Sequence, residues 1–249
     1  MKPIIDVKNL TIQYEDQTIL KDIAFSVKKG DVFVITGPSG CGKTSLLNHM
    51  IGLQAPKKGV IEINGTNIVN ASDTGKMQLL KDIGVMYQSG ALFGSFNLLE
   101  NVSLPLEEWT NLPPSAIEAI ALNKLKMVDL LEAAYKLPSQ ISGGMKKRAA
   151  IARAMALDPS VLFLDEPAAG LDPITRSALD KLILQLANTL NLTFVIVTHE
   201  ISTIMTIANN MIMLHDNKII ANGHPDTLRK IEHAFVKDFF EKGLIERYE

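Results

Sequence analysis

The sequence has little cysteine, few aromatic residues and no excess of charge of either sign. Its 249 residues include one cysteine, Cys41, and 6% aromatic residues. A lone cysteine excludes an internal disulfide framework and favours a reducing compartment. Lys and Arg number 25 against 27 Asp and Glu, which gives a formal net charge of -2. Without a basic excess, we expect no nucleic-acid partner.

Long hydrophobic runs are also missing. The longest uncharged stretch, Ile83 to Leu99, is interrupted by glycine, serine, glutamine and asparagine, whereas a membrane-spanning helix needs about 20 predominantly apolar residues. The segment Met1 to Asp6 lacks the apolar core of a secretion signal. We therefore expect a cytoplasmic protein. With 47% hydrophobic residues, the chain has a globular rather than a disordered composition.

The order of the apolar patterns predicts an α/β fold. Nearly continuous apolar segments, typical of parallel strands buried on both faces, lie at 31–36, 83–87, 161–164 and 193–198. Further strands are predicted at 5–12 and 19–27, and hairpins around Asn64-Gly65 and Asp216-Asn217. Helical signals lie near 43–51, 113–131, 149–156 and 174–190. We predict one domain over 1–249, with a core at about 1–91 and 157–222, a helical subdomain at about 92–156 and a helical tail at about 223–249.

The most specific motif is a glycine-rich loop between a predicted buried strand and a predicted helix. Residues 37–44 satisfy the pattern G-x-x-x-x-G-K-[ST]. Glycines let the backbone wrap around phosphates, so that N–H groups and a helix N-terminus face the anion. Lys43 can reach the β- and γ-phosphates, and the Thr44 hydroxyl can ligate Mg²⁺. The predicted nucleotide-binding residues of this segment are Gly37, Pro38, Ser39, Gly40, Cys41, Gly42, Lys43, Thr44 and Ser45.

Polar side chains follow three other predicted strands. Asp165 and Glu166 come after the apolar run 161–164, His199 after 193–198, and Gln88 after 83–87. Ligands of open α/β sheets bind at the carboxyl ends of the strands, so these side chains should lie near the glycine-rich loop. Asp165 suits the support of Mg²⁺, and Glu166 can polarise the attacking water. His199 is placed to reach the γ-phosphate, whereas Gln88 by itself indicates little.

The complete order of motifs resembles an ABC-type nucleotide-binding domain over about residues 4–221. Besides the motifs above, it includes Ser142-Gly143-Gly144 before a basic helix and Gly170-Leu171-Asp172 after the acidic pair. The resemblance implies a P-loop NTPase of ABC type, with a mostly parallel RecA-like core sheet, an antiparallel β edge and a helical subdomain. It also implies an ATPase that binds ATP and Mg²⁺.

The same resemblance implies roles for individual residues. Two copies would sandwich two ATP molecules head to tail, so that Ser142, Gly143 and Gly144 of one protomer face the P-loop of the other, with Asp172 at the seam. Gln88 would serve Mg²⁺ together with Thr44 and Asp165, while Lys43, Glu166 and His199 would be catalytic. Tyr14 stands where the family places an aromatic residue that stacks on adenine; the alternative is an ordinary strand tyrosine.

One position departs from the general ABC pattern, because Met145 stands where the signature usually ends in glutamine. The segments 88–93, 142–145 and 172–175 resemble the ATPase subunits of Mla/Mce-type lipid transporters. This implies transport of phospholipids or other lipids between bacterial envelope membranes, driven from the cytoplasmic face of the inner membrane. The implied partners are integral-membrane permease subunits, a small STAS-like subunit and an Mce-type lipid-binding protein. The alternatives are the ATPase of another ABC transporter and a non-transport ABC ATPase, such as an iron–sulfur assembly ATPase.

Three surface features allow two interpretations each. Leu92, Phe93 and Phe96 follow Gln88, where the family receives a permease helix, and they either line an exposed groove or join the core. The basic run 146–148 is compatible with nucleic-acid binding but is more simply a solvated helix face. The tail from 235 to 249 is expected to pack on its own domain rather than on a second protomer.

Overall fold

The computed structural model describes residues 2–245. Its strands are β1 (Ile5–Tyr14), β2 (Gln17–Val27), β3 (Val32–Thr36), β4 (Lys58–Ile63), β5 (Thr66–Asn67), β6 (Ile83–Met86), β7 (Val161–Asp165), β8 (Thr193–Val197), β9 (Asn210–His215) and β10 (Lys218–Gly223). Its α-helices are α1 (Lys43–Met50), α2 (Asp73–Asp82), α3 (Leu98–Trp109), α4 (Pro114–Met127), α5 (Gly143–Ala154), α6 (Pro173–Leu190), α7 (Ile201–Ile207), α8 (Pro225–Leu228) and α9 (Ala234–Ile245).

The larger sheet has six strands in the order β10-β9-β3-β8-β7-β6. Four of its five strand pairings are parallel, and the edge pair of β9 and β10 is antiparallel. Every residue of β3, β7 and β8 is buried, as expected for β-branched and aromatic strands covered on both faces. The predicted parallel core sheet with an antiparallel edge is therefore confirmed.

A second, four-stranded sheet has the order β2-β1-β4-β5 and is antiparallel throughout. Its apolar side chains share one core with the buried face of α1 and one face of the larger sheet. The turn between β4 and β5 has Asn64 at φ 50° and Gly65 at φ 78°. Such left-handed pairs close two-residue hairpins, as the Asn-Gly dipeptide predicts.

The helices α3, α4 and α5 pack on one another as a helical layer, and its apolar side chains share one core with a face of the larger sheet. The sequence patterns do not predict α2 or α3. Helix α3 contains Pro105, which usually ends a helix. Its start carries a capping box, since Asn97 and Glu100 exchange side chain to backbone hydrogen bonds at 2.7 and 2.8 Å. The boundaries of the predicted core, helical subdomain and tail stay a prediction.

The C-terminal segment contacts the rest of the chain through α9. Val236 and Phe240 are buried against the core, and the ring of Phe235 lies 4.0 Å from that of His215. The predicted packing of the tail on its own domain therefore holds for these residues. Residues 246–249 and the side chains of Leu244 and Ile245 lie outside the described part. Between residues 2 and 245, no helix has both the length and the apolar character needed to cross a bilayer.

Candidate functional site

The glycine-rich loop between β3 and α1 contains three glycines with left-handed backbone angles. Gly37, Gly40 and Gly42 have φ values of 146°, 79° and 99°. A Cβ atom on Gly37 would lie 2.3 Å from the Leu214 carbonyl oxygen, and one on Gly42 would lie 2.8 Å from Ile19 Cγ2. Gly42 is the N-cap of α1 and supplies no side-chain cap. The loop thus leaves the first N–H groups of α1 directed into a concave backbone turn, which suits phosphate oxygens.

Lys43 and Cys41 show how closely this loop is folded. The Lys43 ammonium donates hydrogen bonds of 2.9 Å to the Gly37 and Pro38 carbonyl oxygens. It therefore stands over the loop in which phosphate would lie. Cys41 is half-buried, and burial raises the pKa of its thiol although the Lys43 charge opposes this. The cysteine fits as a small residue of the loop rather than as a reactive thiolate.

Asp165 ends β7 beside Thr44. Its side chain is buried, and the Thr44 hydroxyl and the Lys43 charge both favour its ionised form. The pKa of this carboxyl is nevertheless raised above its usual value. Burial is the largest cause, and the neighbouring charge of Glu166 is the second. Among the described residues, Asp165 Oδ1 is buried without a hydrogen-bond partner. A carboxylate oxygen beside a threonine hydroxyl fits the ligand preference of Mg²⁺.

Glu166 follows in a strained backbone conformation, with φ at 45°. Its amide N donates to the Val197 carbonyl oxygen at 2.9 Å, which holds the ends of β7 and β8 together. The Glu166 carboxylate contacts the His199 ring, with Nδ1 and Oε1 2.8 Å apart. Its second oxygen, Oε2, is buried and has no partner within residues 2–245. This oxygen is available to a water or another donor, as a general base requires.

The structure brings most of the predicted strand-end residues together. Thr44 and Lys43 both act on Asp165, Asp165 lies beside the like charge of Glu166, and Glu166 contacts His199. Gln88 has an exposed side chain, and its carbonyl oxygen accepts a hydrogen bond from Lys147. The backbone carbonyl of Ser45 contacts His49 Nδ1 at 2.7 Å. Their roles toward a nucleotide stay predictions.

The segments expected at a dimer seam lie at two helix starts. Ser142 caps α5, accepting a hydrogen bond of 3.3 Å from the Met145 N–H. Asp172 caps α6 through two bonds of 3.0 Å from the N–H groups of Ile174 and Thr175. Hydrogen bonds from the Thr175 hydroxyl and backbone lower the pKa of Asp172. Ser142, Gly143 and Asp172 are exposed, so both helix starts are accessible to another molecule.

Gly144 and Met145 follow the exposed start of α5. Gly144 is buried, and a Cβ atom on it would lie 2.4 Å from Thr175 Cγ2, so α5 and α6 approach closely. Met145 is half-buried against the helical layer. At the other end of the site, Tyr14 is 38% exposed at the end of β1 and donates a hydrogen bond to Gln54. Its contact with adenine stays a prediction.

The basic run 146–148 is not a uniformly solvated helix face, and this expectation was wrong. Lys146 is exposed, and Arg148 pairs with Asp129 at 3.1 Å. Lys147 is buried, and its ammonium donates to the Gln88 carbonyl oxygen. Burial lowers the pKa of Lys147, although the charges of Glu166 and Asp165 oppose this. The spacing of the residues could have indicated that Lys147 is buried. Lys147 lies four residues before the buried Ile151, so the two share one face of the helix.

A buried polar cluster connects α6 with α7, which follows His199. Arg176 pairs with Glu200 at 2.8 Å, and the Thr203 hydroxyl donates to Asp180 at 3.1 Å. Asp180 is buried, and this burial raises its pKa to about 6. The cluster therefore holds a carboxyl group that titrates close to neutral pH.

We expect the stability of the protein to increase as pH falls from 7 toward 5. Folded Asp180 takes up a proton near pH 6, whereas the unfolded chain does so only near its ordinary pKa of about 3.9. The penalty of its buried charge is thus complete above about pH 6 and declines progressively as the pH falls toward the unfolded value of about 3.9. Asp180→Asn removes this penalty, so urea unfolding at pH 7 should show a gain on the order of 1–3 kcal/mol. The exposed Asp16→Asn is the control, and an unchanged pH slope in Asp180→Asn would contradict the assignment.

Comparisons with known proteins agree with this geometry. The sequence model of the family described as ABC transporter matches residues 20–169. The chain is 40% identical over 238 residues to the intermembrane phospholipid transport system ATP-binding protein MlaF of Haemophilus influenzae, covering 96% of this chain and 90% of that protein. It is 39% identical to the probable ribonucleotide transport ATP-binding protein mkl of Mycobacterium leprae, covering 94% of this chain and 68% of that protein.

A solved structure extends the likeness to the fold. The dimeric post-hydrolysis state of the ATP-binding cassette MJ0796, bound to ADP and Pi, has a TM-score of 0.79 at 31% identity, covering 88% of this chain and 98% of that one. Together with the strand order and the loop before α1, these matches confirm the predicted fold class and family. The chain belongs to the ABC transporter family and is one of its ATPases.

Proposed function

We propose that this ATPase energises the transport of phospholipids between envelope membranes. The similarity to MlaF carries the proposal, because it reaches 40% identity and extends over nine tenths or more of both chains. The mkl protein, whose name refers to ribonucleotides, is 39% identical but is covered to only 68%. A transporter with another cargo is the second candidate, since the catalytic geometry would serve it equally well.

The active unit proposed for this chain is a head-to-tail homodimer. The P-loop and the carboxylates Asp165 and Glu166 would bind one side of ATP, and the exposed start of the partner's α5 would bind the other. Ser142 and Gly143 present N–H groups at a helix N-terminus, which favours phosphate. The 31% identical cassette MJ0796 is dimeric in its ADP-bound state. This proposal explains why exposed helix starts carry the serine, glycine and aspartate of the motifs.

Within each site, the residues have distinct proposed roles. Lys43 and the amides of residues 37–44 bind the phosphates, and Tyr14 stacks on adenine. Thr44, Asp165 and Gln88 would hold Mg²⁺, which neutralises phosphate charge when bound. Glu166 accepts a proton from the attacking water, and His199 orients Glu166 through their 2.8 Å contact while it faces the γ-phosphate.

The exposed residues that come after Gln88 in the sequence support the proposed permease partner. Phe93 is 50% exposed and Phe96 is 37% exposed, whereas Leu92 packs against the helical layer. Exposed aromatic pairs of this kind mark contact surfaces, and the rings of Phe93 and Phe96 lie 5.5 Å apart. We assign this pair to an integral-membrane permease, which places the ATPase peripherally on the cytoplasmic face of the inner membrane. A STAS-like subunit and an Mce-type lipid-binding protein complete the proposed complex.

Phe93→Asp should separate permease binding from catalysis. A charge in the centre of an apolar contact leaves an uncompensated desolvation cost, so the amount of permease recovered with the tagged ATPase should fall about tenfold or more. Nucleotide binding by the isolated chain should not change, because Phe93 lies outside the P-loop cluster. Leu53→Asp is the matched control, since Leu53 is 61% exposed after α1. Full permease recovery with Phe93→Asp would refute this surface.

Affinity purification from membranes tests the function as a whole. We expect a tagged chain to co-purify with an integral-membrane protein, and the complex to move phospholipid between vesicles in an ATP-dependent manner. Recovery with a permease for another cargo would favour the second candidate. Recovery only in a soluble complex, for example with iron–sulfur assembly proteins, would refute a transport role.

A further inference from the structure

Two cations of α5 hold the loop that follows β6. Lys147 donates to the Gln88 carbonyl oxygen. Arg153 donates to the carbonyl oxygens of Gly90 and Ala91 at 2.9 and 2.7 Å. Three of four consecutive carbonyl groups, at residues 88, 90 and 91, are therefore bound by one helix. This loop has left-handed backbone angles at Gly90 and Ala91, with φ at 74° and 47°, so its shape depends on such anchors.

Lys147 is the anchor nearest to the reactive groups. It is buried, with 8% of its surface accessible, while the adjacent Lys146 is exposed. The charges of Glu166 and Asp165 act on its ammonium. A lysine can donate three hydrogen bonds from a compact charge, which suits a position between a carbonyl oxygen and two carboxylates. Burying such a side chain is costly, so a stabilising role alone is a poor explanation for it.

Lys147 connects the loop that follows β6 with the helix whose start is proposed to face the partner. Ser142 is the N-cap of this helix, and the exposed helix start is proposed to face the partner's nucleotide. Lys147 lies about one and a half turns further along and contacts Gln88, which is proposed to serve Mg²⁺ in its own chain. Through Lys147, the helix whose start is proposed to face the partner's nucleotide is connected to the Gln88 carbonyl group.

We propose that Lys147 is a positioning residue that fixes Gln88 beside Asp165 and Glu166, and that links the two nucleotide sites of the dimer through α5. The first part concerns contacts within one chain, while the link between sites rests on the proposed head-to-tail dimer. Lys147 does not touch substrate in this arrangement. Its effect is exerted through the Gln88 carbonyl group and the loop behind it.

Hydrogen exchange tests the anchoring directly in the full chain. Lys147→Met preserves the length and the apolar stem but removes the donor. We expect amide exchange in residues 88–92 to accelerate about tenfold, while residues 149–154 of α5 keep wild-type protection. Lys147→Arg, which retains donors, should restore slow exchange, and Lys146→Met should have no effect. Equal loss of protection in α5, or unchanged exchange in 88–92, would overturn the proposal.

Nucleotide binding tests the consequence for the site. In a Glu166→Gln background that slows hydrolysis, ATP affinity is measured with Mg²⁺ and with a chelator. We expect Lys147→Met to reduce the Mg²⁺-dependent gain in affinity five- to tenfold and to change the Mg²⁺-free affinity less than twofold. A loss of the same size with and without Mg²⁺ would indicate a general structural effect and overturn the proposal. If Lys147→Met does not fold, Lys147→Leu, which also lacks a donor, replaces it with the same expectations.

Light scattering with ATP and Mg²⁺ separates this inference from the proposed dimer. If Glu166→Gln alone forms ATP-dependent dimers, Lys147→Met in that background should weaken dimer formation several-fold. Retention of full dimerisation would refute the link between sites. If Glu166→Gln alone stays monomeric, the proposed dimer fails, while the exchange and Mg²⁺ experiments still decide whether Lys147 positions Gln88.

Discussion

Glu166→Gln should abolish most ATP turnover while ATP binding is retained. The substitution keeps the size of the side chain and its contact with His199 but removes the charge that accepts a proton from water. Loss of a general base costs about 10²- to 10⁴-fold in rate. ATP affinity should stay within a few-fold of wild type, because Glu166 lies outside the loop of residues 37–44. Steady-state turnover of the complex and equilibrium binding of ATP to the full chain measure the two effects.

Thermal stability provides an independent readout for the same variant. Wild-type Glu166 has a left-handed φ of 45°, a buried unpartnered oxygen within the described residues and a like charge on Asp165. Removing one of two adjacent buried charges should raise the Tm by about 2–4 °C, the shift that corresponds to about 1 kcal/mol in a chain of this size. Such a gain at the expense of activity is typical of catalytic positions. A general structural role would lower the Tm instead.

The control for this prediction is Glu132→Gln, an exposed carboxylate in the turn Leu131–Ala133. It should leave turnover, binding and Tm unchanged. Turnover of Glu166→Gln above one tenth of the wild-type rate would assign the base to another group. Combined loss of turnover and ATP binding would show that the variant disturbs the P-loop.

The strands and the nucleotide loop could be predicted because their signals are local. Apolar segments mark β3, β7 and β8, because the central positions of strands buried on both faces are apolar. The pattern of residues 37–44 fixes a backbone conformation through its glycines. The carboxyl ends of parallel strands lie at one edge of a sheet, and this rule predicts that the strand-end residues Asp165 and His199 lie near each other.

Other features depend on contacts that sequence patterns do not encode. Helix α3 begins with a visible Asn97–Glu100 capping box, but Pro105 hides its continuation, which tertiary packing supports. The burial of Lys147 depends on where the residue 88–91 loop crosses α5. Lys146 and Lys147 are adjacent residues of the same type. One is exposed and the other is buried because they lie on different faces of α5.

Gly37→Ala and Gly40→Ala should have different consequences although both glycines belong to one loop. A Cβ atom on Gly37 would lie 2.3 Å from the Leu214 carbonyl oxygen, and β9 cannot retreat because it pairs with β3. The overlap and the strained φ together cost about 2–4 kcal/mol, so the Tm should fall by about 5–15 °C. ATP binding should also weaken by at least a hundredfold, because the loop loses its shape.

Gly40 separates the demands of the fold from those of the ligand. Apart from Gly40 and its two chain neighbours, no described residue has a heavy atom within 4 Å of a Cβ atom placed on Gly40. Gly40→Ala should therefore cost only the left-handed backbone, about 1–2 kcal/mol, and the chain should remain folded. If phosphates fill the loop, the added methyl group meets them and weakens ATP binding about tenfold, or about 1.4 kcal/mol. Wild-type affinity of a folded Gly40→Ala variant would show that phosphate does not approach this part of the backbone, whereas a selective loss would mean that the ligand and not the protein requires glycine there.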